Sequence, residues 1–112
     1  MLTFGRPTYG RLGRGQTVDT QSDEPYEVPT AVEGLDGPAV SVEAGVSVTA
    51  AVTASGAVYV WGYGDTCQLG KPGGDESDEL SPMRMKPNKY FSGNTAKQVA
   101  FGGQHACMIA RD

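Results

Sequence analysis

The stretch Glu43-Ala44-Gly45-Val46-Ser47-Val48-Thr49-Ala50-Ala51-Val52-Thr53-Ala54-Ser55, EAGVSVTAAVTAS, decides the fold because its register returns 57 residues later. Gly45 falls on Gly102, and residues 45–55 lie over GGQHACMIARD, residues 102–112. Extended along the chain, the same shift sets Phe4-Gly5 on Trp61-Gly62, Leu12-Gly13 on Leu69-Gly70, Pro25 on Pro82 and Val42 on Val99, all without a gap. A gapless period of this length marks a repeat architecture. It divides residues 1–112 into two copies, about 1–57 and 58–112.

Within a period the apolar residues alternate or run in short stretches: Val40/Val42/Ala44, Val48 to Val52, and Val58 to Trp61. These are strand signals, and Gly45, Ser55-Gly56 and Gly62 punctuate them at hairpin spacing. A weaker fourth strand is expected at Met83 to Met85. The chain therefore reads as all-β, about two four-stranded antiparallel blades. A lone sheet of four short strands cannot cover both its faces, so such units stack radially as part of a β-propeller, and two blades cannot close a ring. The opening Leu2-Thr3-Phe4-Gly5 matches a third strand, while Ile109-Ala110-Arg111-Asp112 matches the close of a second. The remaining blades, in the same or a separate chain, are thus expected as partners; three or four copies of this chain are another way to close a ring.

Composition supports this reading. Sixteen Gly and seven Pro in 112 residues favour many short elements and tight turns. The net charge of −4 is uneven: residues 1–18 carry three arginines and no acid, and residues 19–65 carry eight acids and no Lys or Arg. That balance gives no reason to expect strong nonspecific binding to nucleic acid and points to a protein partner. Cys67 and Cys107 are too sparse for a disulfide framework or a zinc site and read as free thiols. No run reaches transmembrane length, so no membrane contact is expected.

The order of an aromatic-Gly strand end, a Leu-Gly eight residues on, a Pro, then Val-x-x-Gly resembles the repeat of the regulator of chromosome condensation family. GRPTYGRLGRG (5–15), WGYGDTCQLG (61–70) and GGQHACMIARD resemble, in that order, the last two repeats of the family's founding member. The resemblance implies a seven-bladed propeller in the nucleus, on chromatin. It also implies noncovalent guanine nucleotide exchange on a Ran-type small GTPase held at one end of the ring, with histones and DNA at the other. The wedge on which exchange depends resembles nothing in these residues, so the chain by itself is expected to be inactive. A propeller scaffold of the same repeat family without exchange activity is the alternative. The chain departs from the repeat at Val48, where a His is common, and at Lys71-Pro72, where a second Gly is usual.

In an antiparallel blade successive turns alternate between two ends. Turns 45–47 and 102–105 and loops 5–24 and 62–81 share one end. This gathers Gln104, His105, Tyr63, Asp65, Arg6 and Tyr9 on a rim, the GTPase-facing one by resemblance. Turn 54–56 and connections 29–39 and 86–97 share the other end, where Lys86, Lys89 and Lys97 supply the expected chromatin-facing charge.

His105 is the sole candidate general base, but no nucleophile with an orienting acid can be placed beside it. Two readings stay open for it, a structural turn histidine and a rim contact. No catalytic residue, metal or cofactor is expected. GRLGRG (10–15) lacks the order of a dinucleotide fingerprint and the Gly-Lys-Ser/Thr of a phosphate loop, so it reads as turns. The acidic run 75–79 reads as a solvated loop, Trp61 as blade packing and Cys107 as core.

Overall fold

A computed structural model describes residues 1–15 and 26–111. Pro25, residues 16–24 of the long first loop, and Asp112 lie outside the described residues. Among the described residues eight strands form three antiparallel sheets in a 2-4-2 arrangement. Strands β1 (Leu2–Thr3) and β2 (Thr30–Ala31) make the first sheet. The second is β3 (Ala39–Ala44), β4 (Val48–Thr53), β5 (Val58–Gly62) and β6 (Glu79–Arg84), and the third is β7 (Ala96–Phe101) with β8 (Ala106–Ala110). The middle sheet is a complete four-stranded blade, and the flanking pairs are an outer half and an inner half of two others. The sheet is out of phase with the sequence period: β3 and β4 precede the 57/58 boundary between copies, and β5 and β6 follow it.

β4 and β5 read as nearly continuous apolar runs because both faces of the central blade are covered. The side chains alternate between two clusters. Val48, Ala50, Val52, Val58 and Val60 pack with Leu69, Phe91, Ala96 and Val99, on the side of the following half-blade. Ala51, Tyr59 and Trp61 pack with Ala57, Val32, Met1 and Leu35 on the other. Trp61 is fully enclosed, and its Nε1 donates to the Arg11 carbonyl at 3.0 Å. Thr49 Oγ1 donates to the same carbonyl at 2.8 Å, so one oxygen of the 5–15 loop anchors two strands of the next blade. Gly13, at φ +72°, lies beneath the indole, where a Cβ would stand 2.8 Å from Nε1. Packing of the aromatic and the glycine in Leu12-Gly13 are thus one feature, and the Trp61 packing expected from its repeat position is what the fold shows.

The alternation in β3 has a different outcome. Val40 and Val42 are 65% and 57% exposed, because they face the side where the first pair supplies only outer strands. Cys107 corrects a core expectation for the same kind of reason. It is exposed, as is Ile109, while Met108 and Ala110 turn in against the central blade. The fourth strand begins earlier than Met83: the β5–β6 ladder runs from Tyr59–Arg84 and Val60–Met83 across an irregularity to Gly62–Glu79. Pro82 is accommodated there because it falls within that irregularity on an edge strand.

The hairpin between β4 and β5 closes with Thr53 N–H on Ala57 O at 3.0 Å and Gly56 N–H on Thr53 O at 2.9 Å. Gly56 is left-handed at φ +85°, and a Cβ there would collide with the Asn94 carbonyl of the 85–95 connection. Ala96 N–H donates to Gly56 O at 3.0 Å, fixing this turn and that connection at one end of the molecule.

Candidate functional site at the rim

At the opposite end three segments meet. Loop 5–15 turns through Thr8–Gly10, with Tyr9 itself left-handed at φ +64°, and its Arg11 donates from Nε to Thr8 O at 2.9 Å and from Nη1 to Val46 O at 3.2 Å. The loop after β5 is tied to the β3–β4 turn by Tyr63 N–H on Ser47 O at 2.9 Å. It is tied to the β7–β8 turn by Thr66 Oγ1 on the Gln104 carbonyl at 3.3 Å. Cys67 N–H on Gly64 O and Gly70 N–H on Cys67 O, both at 3.1 Å, set the turns between Gly64 and Gly70.

These anchors bring Tyr9 and Tyr63, 54 positions apart in sequence, into ring contact at 4.1 Å between centroids with a 32° tilt. The Arg11 guanidinium stands 5.8 Å from the Tyr9 ring. The nearby Asp65 carboxylate, with partial desolvation and the charges of Asp65, Tyr9 and Asp78, raises the Tyr63 phenol above its ordinary value of 10.0. Tyr63, Asp65 and Gln104 line one cleft of about 170 Å³.

His105 shares this end but opens elsewhere. Its exposed ring lies against Gly102 and lines a cavity of about 330 Å³ with Cys67, Gln68, Met85 and Met108; Gln104 borders both spaces. The imidazole has no hydrogen-bond partner among the described residues, whereas the backbone of the turn is closed by Gly102 N–H on His105 O at 2.8 Å. Arg6 is separate again, beside Phe4, Val42 and Glu43 in a cavity between β1 and β3. The rim is therefore two neighbouring sites bridged by Gln104, with Arg6 apart from both. Arg11 and Thr66, which hold the rim together, carry no signal in the repeat pattern. Their long-range bonds, to the Val46 and Gln104 carbonyls, go to groups that only the fold brings near.

The acidic run is an exposed loop through Asp75, Glu76 and Ser77, pinned by one lysine. Lys71, with its side chain only 5% exposed, pairs with Asp75 at 3.4 Å and Glu79 at 3.0 Å and donates to Ser77 O and Oγ, both at 2.6 Å. Burial works to lower the ammonium's pKa, but the Glu79 and Asp75 carboxylates outweigh it and raise it. Asp78 accepts from Gly64 N–H at 3.0 Å.

Lys86, Lys89 and Lys97 are all exposed on the connection and strand start at the far end, with Lys89 Nζ 4.8 Å from the exposed Tyr90 ring. Among the described residues no three His, Cys, Asp or Glu side chains gather to hold a metal ion.

An antiparallel blade flanked by two half-blades, with loops from three successive sheets stitched into one rim, defines a repeat protein of the β-propeller class. Residues 1–52 and 55–109 match the regulator of chromosome condensation repeat model, and the chain belongs to that family. It is 39% identical over 110 residues to the regulator of chromosome condensation of Xenopus laevis, covering 97% of this chain and 24% of the relative. Among solved structures, human WBSCR16 superposes with a TM-score of 0.77 at 25% identity, over 97% of this chain and 26% of that one. Prp20p of Saccharomyces cerevisiae, described with its binding properties to Gsp1p and histones, superposes with a TM-score of 0.73 at 26% identity, over 93% of this chain and 25% of its own. The chain thus spans about a quarter of the length of these relatives.

Proposed function

We propose that this chain is the C-terminal part of a guanine nucleotide exchange factor for a Ran-type small GTPase. In this reading residues 1–112 are a partial domain of a seven-bladed propeller, built from repeat copies at about 1–57 and 58–112. The rim of Tyr9, Tyr63, Asp65, Gln104 and His105 faces the GTPase, with Arg6 at its margin. The end bearing Lys86, Lys89 and Lys97 faces histones and DNA in the nucleus. The observation that carries the reading is the likeness, over almost the whole chain, to Prp20p, reported to bind Gsp1p and histones.

Exchange of this kind needs no general base. An exchanger that binds the nucleotide-free GTPase more tightly than the GDP-bound form shifts the population toward release, by no more than that difference in affinity. A rim of aromatic, amide and charged groups suits a surface that binds a protein and performs no covalent step. Because the chain is a quarter of a ring, it is inactive alone and contributes contacts to an exchange surface completed by other blades.

The test is release of labelled GDP from Ran by the Xenopus regulator in which residues 1–112 of this chain replace the matching quarter. Release well above the intrinsic rate is expected. A folded chimera that binds the GTPase without accelerating release would overturn the exchange reading and favour a scaffold of the same family.

A further inference from the structure

The 170 Å³ cleft between the 45–47 turn, the loop after β5 and the 102–105 turn carries a single charged group, Asp65. The other described acids nearby are engaged: Asp75 and Glu79 by Lys71, and Asp78 by the Gly64 N–H. Asp65 is exposed and has no cation beside it among the described residues. Tyr63 lines the same cleft and is braced from behind by Tyr9. The Gln104 side chain, also lining it, makes no hydrogen bond among the described residues and can offer an amide oxygen.

A carboxylate, a ring and an amide oxygen around a narrow opening match a cation that is planar and has several donors. A guanidinium can bond the carboxylate in two places while lying near an aromatic ring; an ammonium cannot. The molecule holds an internal instance alongside, where Arg11 sits near the Tyr9 ring and donates to the Val46 carbonyl. We propose that this cleft receives an arginine side chain of the protein partner, with its guanidinium on Asp65, its flank toward Tyr63 and a further N–H on Gln104. The inference rests on the GTPase-binding reading for the identity of the partner, but not for the chemistry of the cleft.

Backbone amide shifts of the chain, followed while acetyl-arginine amide is added, test it. Saturable shifts confined to Tyr63, Asp65, Gln104 and their neighbours are expected, with at least tenfold weaker binding to D65N, a weaker effect in Gln104→Ala and weaker binding of acetyl-lysine amide. Shifts scattered over the acidic loop, or equal in D65N, would overturn it. The two readings fail separately. Arginine binding without accelerated GDP release leaves the cleft and removes the exchanger. Accelerated release by a chimera whose GTPase affinity is unmoved by D65N leaves the exchanger and removes the arginine.

Discussion

At the scale of single residues, His105 and Trp61 are opposites. Trp61 was legible as packing because it repeats Phe4 at a strand end, and the fold encloses it completely. Trp61→Ala is expected to cost about 3–5 kcal/mol, the usual range for removing a buried aromatic, read as a drop in the urea midpoint. Trp61→Phe should lose less, keeping most of the apolar area but leaving the Arg11 carbonyl one donor short. His105 was legible only as a turn residue, and the sequence could not choose between a contact across blades and a contact with a partner. The imidazole is exposed and has no bonded partner among the described residues, and with only half of its own blade beside it the two readings are separated by experiment. His105→Ala in the chimera should weaken GTPase binding with little change in thermal midpoint. A large fall in midpoint with unchanged affinity per folded molecule would count for packing instead.

At the scale of elements, the strands were readable because β4 and β5 are buried on both faces and β3 keeps a strict alternation. The fourth strand was not fully readable. Its Pro82 and its mixed residues Glu79-Leu80-Ser81 look like a loop until the edge position makes them harmless. The acidic run is the exposed loop its charge suggested, but the sequence did not reveal that Lys71, four residues before it, pairs with Asp75 and Glu79. The Ser77 side chain and backbone, and then Lys71, hold the Asp75 carboxyl below its ordinary value of 3.8. A carboxyl with a depressed folded pKa lends stability above its unfolded pKa and loses it as pH falls through the folded value. The loop should therefore stay closed at neutral pH and open in acid below about pH 3.8. Lys71→Ala should open it at neutral pH, seen as faster protease cleavage between residues 75 and 79 with the global midpoint nearly unchanged.

At the scale of the whole molecule, the two ends differ in chemistry. One is a braced aromatic and amide rim; the other carries Lys86, Lys89 and Lys97 on exposed backbone. If the lysines meet phosphates, replacing all three by Gln should flatten the dependence of log affinity for duplex DNA on log salt by about 2.7, at about 0.9 per contact. GDP release should be unaffected. An unchanged slope would remove this end from nucleic-acid contact. Parity of turns made these two ends legible from the strand order alone. It could not show that the rim divides into two openings, because that depends on which way Gln104 and His105 leave a four-residue turn.

The offset between the 57-residue period and the sheets bears on how such a gene can grow. Each period carries the outer pair of one sheet and the inner pair of the next, so a tandem duplication or excision of one period, wherever its ends fall, rejoins an inner pair to an outer pair and preserves blade register. What it changes is blade number, and with it ring closure.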